Sequence, residues 1–284
     1  MNVDKIQKKY NFLTPILKEG LIRLGNKMDG GYVVDDLTIS EIDTFLSFGL
    51  GDGSNTDNTP WSFENDLLKK NPYIEIIIYD HSVSIKDYLR IIIKYLRRFL
   101  TFRTNFFELS RRINYLKNYL YFTRLKNVSF LKKKVVGKLN HNGNCINIKK
   151  IFKQLEDKKR SIGLKCDIEG SEYYVIEDIL HFSQNIQLMI IEFHWTDKKN
   201  NLFINLVKKI QKKFEIIHLH GNNYKSVNEE GLPNVIEITF LKKEKINTFQ
   251  KKYKYNFPIK NLDFPCDPMN KDIEISFDIP NFKS

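Results

Sequence analysis

Three cysteines in 284 residues, Cys145, Cys166 and Cys266, are too few and too scattered for a disulfide framework. None has a metal-ligand spacing, and the odd count points to reduced thiols. No apolar run approaches the ~18 residues that a membrane-spanning helix needs. The N-terminal stretch Met-Asn-Val-Asp-Lys-Ile-Gln-Lys-Lys-Tyr lacks the apolar core of a signal peptide. Internal repeats are absent. The expected location is the cytoplasm, with peripheral attachment to the inner membrane surface left open.

What is present suits one large α/β domain, or one domain with an insertion. Hydrophobic residues make up 42% of the chain, enough for a sizeable core. The net charge of +12 is unevenly spread. Between Lys86 and Asn127 stand eleven Lys or Arg and two acids, so this piece alone carries +9. The rest is only mildly basic.

Leu21 to Gly25 and Asp29-Gly-Gly-Tyr-Val-Val34 read as two short strands around a turn. Thr44 to Leu50 is apolar and β-prone, and it runs into Gly49-Leu-Gly-Asp-Gly53. A helix is expected from Pro60-Trp61, with Phe63, Leu67 and Leu68 on one face. The strand Tyr73 to Tyr79 then ends on Asp80-His81. An acid at the end of a second strand is where Rossmann-like folds hold a nucleoside ribose. Gly-x-Gly-x-Gly differs from the dinucleotide Gly-x-Gly-x-x-Gly, and Asp80 lies further on than the usual ~20 residues. Both departures favour a nucleoside without a pyrophosphate, S-adenosylmethionine first, and disfavour an NAD-dependent oxidoreductase.

In the basic segment, Leu89, Ile92, Ile93, Leu96 and Leu100 share one helical face, opposite Arg90, Lys94, Arg97 and Arg98. A second helix carries Leu109, Ile113, Leu116 and Leu120. Three readings stay open here: a hairpin packed on the domain with a solvated basic face, a membrane-surface or partner-binding element, and nucleic-acid binding. The last is weakest, because no recognition motif accompanies the charge. Packed insertion helices could also form a homodimer interface.

Asn127 to Val136 reads as a strand and Ile146 to Leu155 as a helix. The strand Ile162 to Ile168 follows, ending in Asp167 and Glu169, and Gly170 breaks the pattern before a helix through Val175, Ile176, Ile179 and Leu180. Acids at such a strand end are placed for chemistry, or they cap the next helix. Gln187 to Phe193 is a buried strand running into His194-Trp195, and Phe203 to Ile210 is helical. Phe214 to Leu219 leads into His220-Gly-Asn-Asn223, and Val235 to Leu241 closes the sheet. The last forty residues are irregular. The expected divisions are an N-terminal extension over 1–40, a Rossmann-like domain over 41–250 with its basic insertion at 86–127, and a tail over 251–284.

Leu164-Lys-Cys-Asp-Ile-Glu-Gly-Ser-Glu172 resembles the Lys-x-Asp-x-Glu-Gly-x-Glu signature of FkbM-type methyltransferases. Ser47-Phe-Gly-Leu-Gly51, Tyr79-Asp-His81, Ile191-Glu-Phe-His194 and Asn222-Asn223 with Glu237-Ile-Thr239 are similar to further landmarks of that family, in the same order. The resemblance implies an α/β fold of the Rossmann-like class I methyltransferase kind, a seven-stranded mainly parallel sheet with one antiparallel strand. It also implies methyl transfer from S-adenosylmethionine to an oxygen of a sugar, glycan or similar small molecule. Carried over, Gly49, Gly51 and Asp52 lie under the cofactor, Asp80 takes the ribose hydroxyls and His81 lies beside the adenosine. Asp167 and Glu169 face the methyl and the acceptor. Ser47 stands where an acid often opens the glycine motif, so Asp52 or the Asp29 loop would have to replace it.

A hydroxyl acceptor needs a base. His194 is the first choice, because an imidazole accepts a proton near neutral pH, ahead of Glu169 and His220. His220, Asn222 and Asn223 are expected to contact the acceptor. An alternative mechanism uses a divalent metal held by Asp167 and Glu192. The rival function is a non-catalytic scaffolding or membrane-surface module that keeps the fold.

Overall fold

Apolar strand-forming runs alternate with amphipathic segments, and this alternation sets the order of elements. The computed structural model describes residues 8–50, 61–137, 143–155, 160–246 and 256–277. A 3-10 turn at Lys8–Leu13 precedes the antiparallel hairpin of β1 (Leu21–Leu24) and β2 (Tyr32–Asp35). The short helix α1 (Asp36–Glu41) starts where the Asp35 carboxylate accepts the Thr38 N–H, a side-chain N-cap. Next come β3 (Thr44–Phe48), α2 (Ser62–Lys70), β4 (Glu75–Tyr79), α3 (Ile85–Leu100), α4 (Phe106–Phe122) and β5 (Val128–Leu131). The second half holds β6 (Lys134–Val136), β7 (Cys145–Asn147), α5 (Ile148–Lys153), β8 (Ile162–Cys166), α6 (Glu172–Leu180) and β9 (Ile186–His194). Then follow α7 (Asn200–Ile210), β10 (Phe214–Gly221), β11 (Val235–Lys242), β12 (Asn256–Phe257) and β13 (Ile275–Ser276).

Seven strands form the main sheet in the order β10-β11-β9-β8-β3-β4-β5, with β11 alone antiparallel to its neighbours. Every residue of β3 and of β8 is buried, as a strand covered on both faces requires. Side chains of α5, α6 and α7 fill the core on one face, and those of α2 and α4 the core on the other. The fold is therefore the Rossmann-like class I methyltransferase architecture that the resemblance implied. Strand order reverses at β3, so the binding crevice lies where the carboxyl ends of β3 and β8 part.

Two local readings change. Residues 127–136 form two strands instead of one, because Lys132, Lys133 and Lys134 cannot enter a buried parallel sheet. β6 pairs with β7 outside the main sheet. The basic insertion is a helical hairpin, but its apolar faces are used unequally. α4 fills the β4-to-β5 crossover, with Phe122 stacked on Trp61 at 5.6 Å and Tyr119 edge-on to Trp61 and Phe130. α3 lies outside α4 and buries one side chain, Tyr88.

Both flanking segments pack against the sheet. The Thr239 hydroxyl donates to the Val33 carbonyl at 2.7 Å, tying the N-terminal hairpin to β11. In the tail, Asp263 lies 3.0 Å from His218 Nε2, and Phe257 is edge-on to the same ring.

Candidate active site

The tips of β3 and β8 touch through their backbones. Gly49 sits at φ +84°, and a Cβ there would fall 1.7 Å from the Asp167 carbonyl oxygen. Only glycine satisfies both the backbone angle and the contact. Beside it, Asp80 is buried by its own turn. One carboxylate oxygen accepts the Leu50 N–H at 2.7 Å, and the other accepts the Ser82 N–H and hydroxyl. Asp80 thus fastens the glycine loop to the tip of β4 instead of presenting a free carboxylate. His81 is exposed next to it. Gly51 and Asp52 lie outside the described residues.

Asp167 follows β8 and accepts from the Tyr32 hydroxyl at 3.2 Å. His194, the last residue of β9, holds Nδ1 against Glu172 Oε1. Its Nε2 lies 3.5 Å from Glu169 Oε2 and 3.9 Å from both Asp167 Oδ1 and Glu192 Oε1. Glu169 is 83% exposed and has a positive φ of 54°, whereas Glu192 is 4% exposed. Trp195, one residue past His194, also has a positive φ of 58°. Such backbone strain at two neighbouring turns is characteristic of functional sites.

Carboxylates dominate the electrostatics. Burial holds Asp29, Asp167 and Glu192 above the usual carboxylate range, reinforced by neighbouring acids at Asp29 and Glu192 and opposed by His194 and Lys165 at Asp167. Burial alone would lower His194, but the Glu172 hydrogen bond and the charges of Glu172, Asp167 and Glu169 outweigh it and raise the ring to about 9. This corrects the expected neutral imidazole: at neutral pH the free site holds His194 as imidazolium. Donor atoms lie within 4.8 Å of one another in two sets here, Asp167–Glu192–His194 and Asp29–Glu192–Glu237. Either could coordinate a divalent cation.

His220, Asn222 and Asn223 have protein partners in place of open positions. His220 Nδ1 lies 3.2 Å from Glu237 and Nε2 3.1 Å from Asp272, and these two acids raise the ring to about 10 against the effect of burial. It is a structural cation and a poor base. Asn222 donates to Glu192 Oε1 at 2.9 Å and accepts the Tyr224 N–H, so it positions Glu192. Asn223 donates to the Asp267 carbonyl and accepts the Asp267 N–H, pinning the tail to the β10 turn.

Four residues join the site that strand-by-strand reading did not single out. Glu172 was visible as an acid in the first turn of a helix, yet it is fully buried and turned onto His194. Tyr32 belongs to the Asp-Gly-Gly-Tyr stretch, and only the return of the hairpin onto the sheet brings it to Asp167. Glu64 and Lys165 form a buried pair at 2.9 Å beneath the crevice, and Ser47 donates to Glu64 at 2.7 Å. A helix residue, Glu64 of α2, thus places a buried carboxylate beside Ser47.

No family model matches the sequence, and no curated protein matches it. Among solved structures the chain is similar to a dimethyladenosine transferase from Plasmodium falciparum, at 11% identity and a TM-score of 0.36, covering 74% of this chain and 61% of that one. It is similar to a precorrin-6y C5,15-methyltransferase from Geobacter metallireducens at 10% identity and a TM-score of 0.34, covering 73% and 85%. A fibrillarin complex gives 11% identity and a TM-score of 0.36, covering 71% and 73%. These likenesses are distant, and the strand order by itself carries the assignment of the fold: a Rossmann-like α/β sheet of the class I methyltransferase kind.

Proposed function

We propose that this protein is an S-adenosylmethionine-dependent O-methyltransferase whose acceptor is a sugar, a glycan or a related polyhydroxyl small molecule. One observation carries the reading: a glycine tip with no room for a side chain meets a cluster of under-neutralised acids at the topological switch point. The residues present fit such a cofactor. Gly49 lets the β3 tip close against Asp167, Asp80 ties the loop to the β4 tip where a ribose would lie, and the acids suit a positive charge. When bound, S-adenosylmethionine supplies a methyl group on a sulfonium, transferred in line to the attacking oxygen.

The chain's own work is positioning and proton handling. Tyr32 and His194 hold Asp167 from two sides, and Glu169 stands at the exposed rim. In this proposal the acceptor's proton passes to Asp167, whose carboxyl is raised by burial to about 6, while the His194 imidazolium beside it steadies its charge. Glu172 fixes Nδ1, so Nε2 is the atom of His194 that faces Asp167 and Glu169. Asn222 keeps Glu192 turned toward the same point.

A second reading concerns only the activation of the hydroxyl. Asp167, Glu192 and His194 bring donor atoms within 4.8 Å of one another, which favours a divalent cation on Asp167 and Glu192. Calorimetry with S-adenosylhomocysteine tests the cofactor assignment, and no measurable heat would sink it. Turnover before and after chelation separates the two ways of activating the hydroxyl.

A further inference from the structure

The α3–α4 hairpin presents an apolar stripe that nothing among the described residues covers. Ile85, Leu89, Ile93, Leu96 and Leu100 are all exposed, Leu100 to 67%. At 3.6 residues per turn they fall within an arc of about 80°. The next arc of about 80° carries Lys86, Arg90, Lys94 and Arg97. Tyr88, Ile91, Ile92, Tyr95 and Phe99 occupy the remaining side, which is the less exposed one and packs toward α4. The stripe continues past the end of α3. Phe102 is 98% exposed at a positive φ of 55°, and Phe106 and Phe107 at the start of α4 are exposed as well.

We propose that this face docks the protein on an anionic lipid surface, with the stripe of α3 and Phe102 entering the boundary between head groups and acyl chains. Charge and shape select that occupant. An apolar stripe flanked by a basic one is the pattern of a helix that lies in the plane of a membrane interface. Among the described residues no helix is long and apolar enough to cross a membrane, so the element lies on the surface. Both acids of the segment are already engaged, Asp87 with Arg90 at 3.2 Å and Glu108 with Arg111 at 2.9 Å. Among the described residues Lys94, Arg97 and Arg103 make no ion pair, and they are available to lipid phosphates. A second copy of the chain fits less well, because it would set one hairpin of charge +9 against another. A nucleic acid would satisfy the charge and leave the aliphatic stripe in water.

The test uses the full chain with sedimenting vesicles of phosphatidylcholine alone or mixed with phosphatidylglycerol. The protein should co-sediment with the anionic vesicles and stay in solution with the neutral ones. Leu96→Ser with Phe102→Ser, and separately Lys94→Gln with Arg97→Gln, should each weaken binding about tenfold or more. Circular dichroism and the melting temperature should be unchanged, because all four side chains are exposed. A Phe102→Trp variant should shift its emission to the blue on anionic vesicles. Equal binding to neutral vesicles, retention by both double variants, or no binding at all would overturn the proposal. So would a dimer abolished by Leu96→Ser with Phe102→Ser, or binding of RNA in preference to vesicles.

Discussion

Glu172, the first residue of α6, grips Nδ1 of His194 across the turn that ends β9. The contact is fully buried on the glutamate side and settles which ring nitrogen faces the crevice. Glu172→Gln keeps the shape and removes the charge that sustains the imidazolium. Turnover should fall about 10²-fold with little change in KM for the methyl donor. Stability should fall by about 1–3 kcal/mol, as for a lost charged hydrogen bond. Steady-state kinetics with a denaturant titration reads both.

Glu192→Gln should act in the opposite sense on stability. Burial first, and then the charges of Asp167, Glu237 and Asp29, hold its carboxyl well above the usual range. A glutamine still accepts the hydrogen bond from Asn222 and relieves the repulsion. A gain of about 1 kcal/mol corresponds to roughly 2–4 °C in melting temperature for a chain of this size. Activity should drop in the same variant, the usual trade between a stable site and a working one. Calorimetric melting at neutral pH, paired with an activity assay, decides it.

Gly49 and Gly30 make an internal comparison. Both have positive φ, +84° and +81°, but a Cβ at Gly30 meets nothing within 4 Å. Gly30→Ala should cost about 1–2 kcal/mol, the ordinary penalty of a left-handed backbone. Gly49→Ala adds a collision with the Asp167 carbonyl and should cost more than about 3 kcal/mol. Equal melting temperatures for the two variants would remove the argument that the β3 and β8 tips are locked together.

The alternation of strands and helices, the glycine tip of β3 and the pair Asp167 and Glu169 could be read from the chain because each is local. An apolar run, a glycine and an acid announce themselves within ten residues. Tyr32, Glu64 and Glu237 could not be placed that way. Each reaches the site through packing between segments far apart in sequence, and a buried Glu64 looks from sequence like any acid in a helix's first turn. Asn223 misled for the complementary reason: an amide in a loop reads as a binding group until its partners in the tail are seen. His194 was found by position, but its charge depends on three carboxylates, Asp167 and Glu169 after β8 and Glu172 at the start of α6.

Stability should also carry an alkaline signature from His220. Its folded pKa of about 10 lies above the unfolded value of about 6.5. A raised pKa means the folded state binds the proton more tightly. The stabilisation is therefore complete below about pH 6.5 and is lost as pH climbs toward 10. Urea midpoints should fall across that window, and His220→Gln should be less stable at neutral pH with a shallower slope.

α3 has one further consequence, for the way the chain comes apart. A sixteen-residue helix with Tyr88 as its one buried side chain adds little to the cooperative core that α4 completes. Its amides are expected to exchange with solvent through a local opening well below the free energy of global unfolding. This layer, with five Lys or Arg against the single acid Asp87, is thus an outer foldon, able to detach and re-form while the sheet, the crevice and α4 stay assembled.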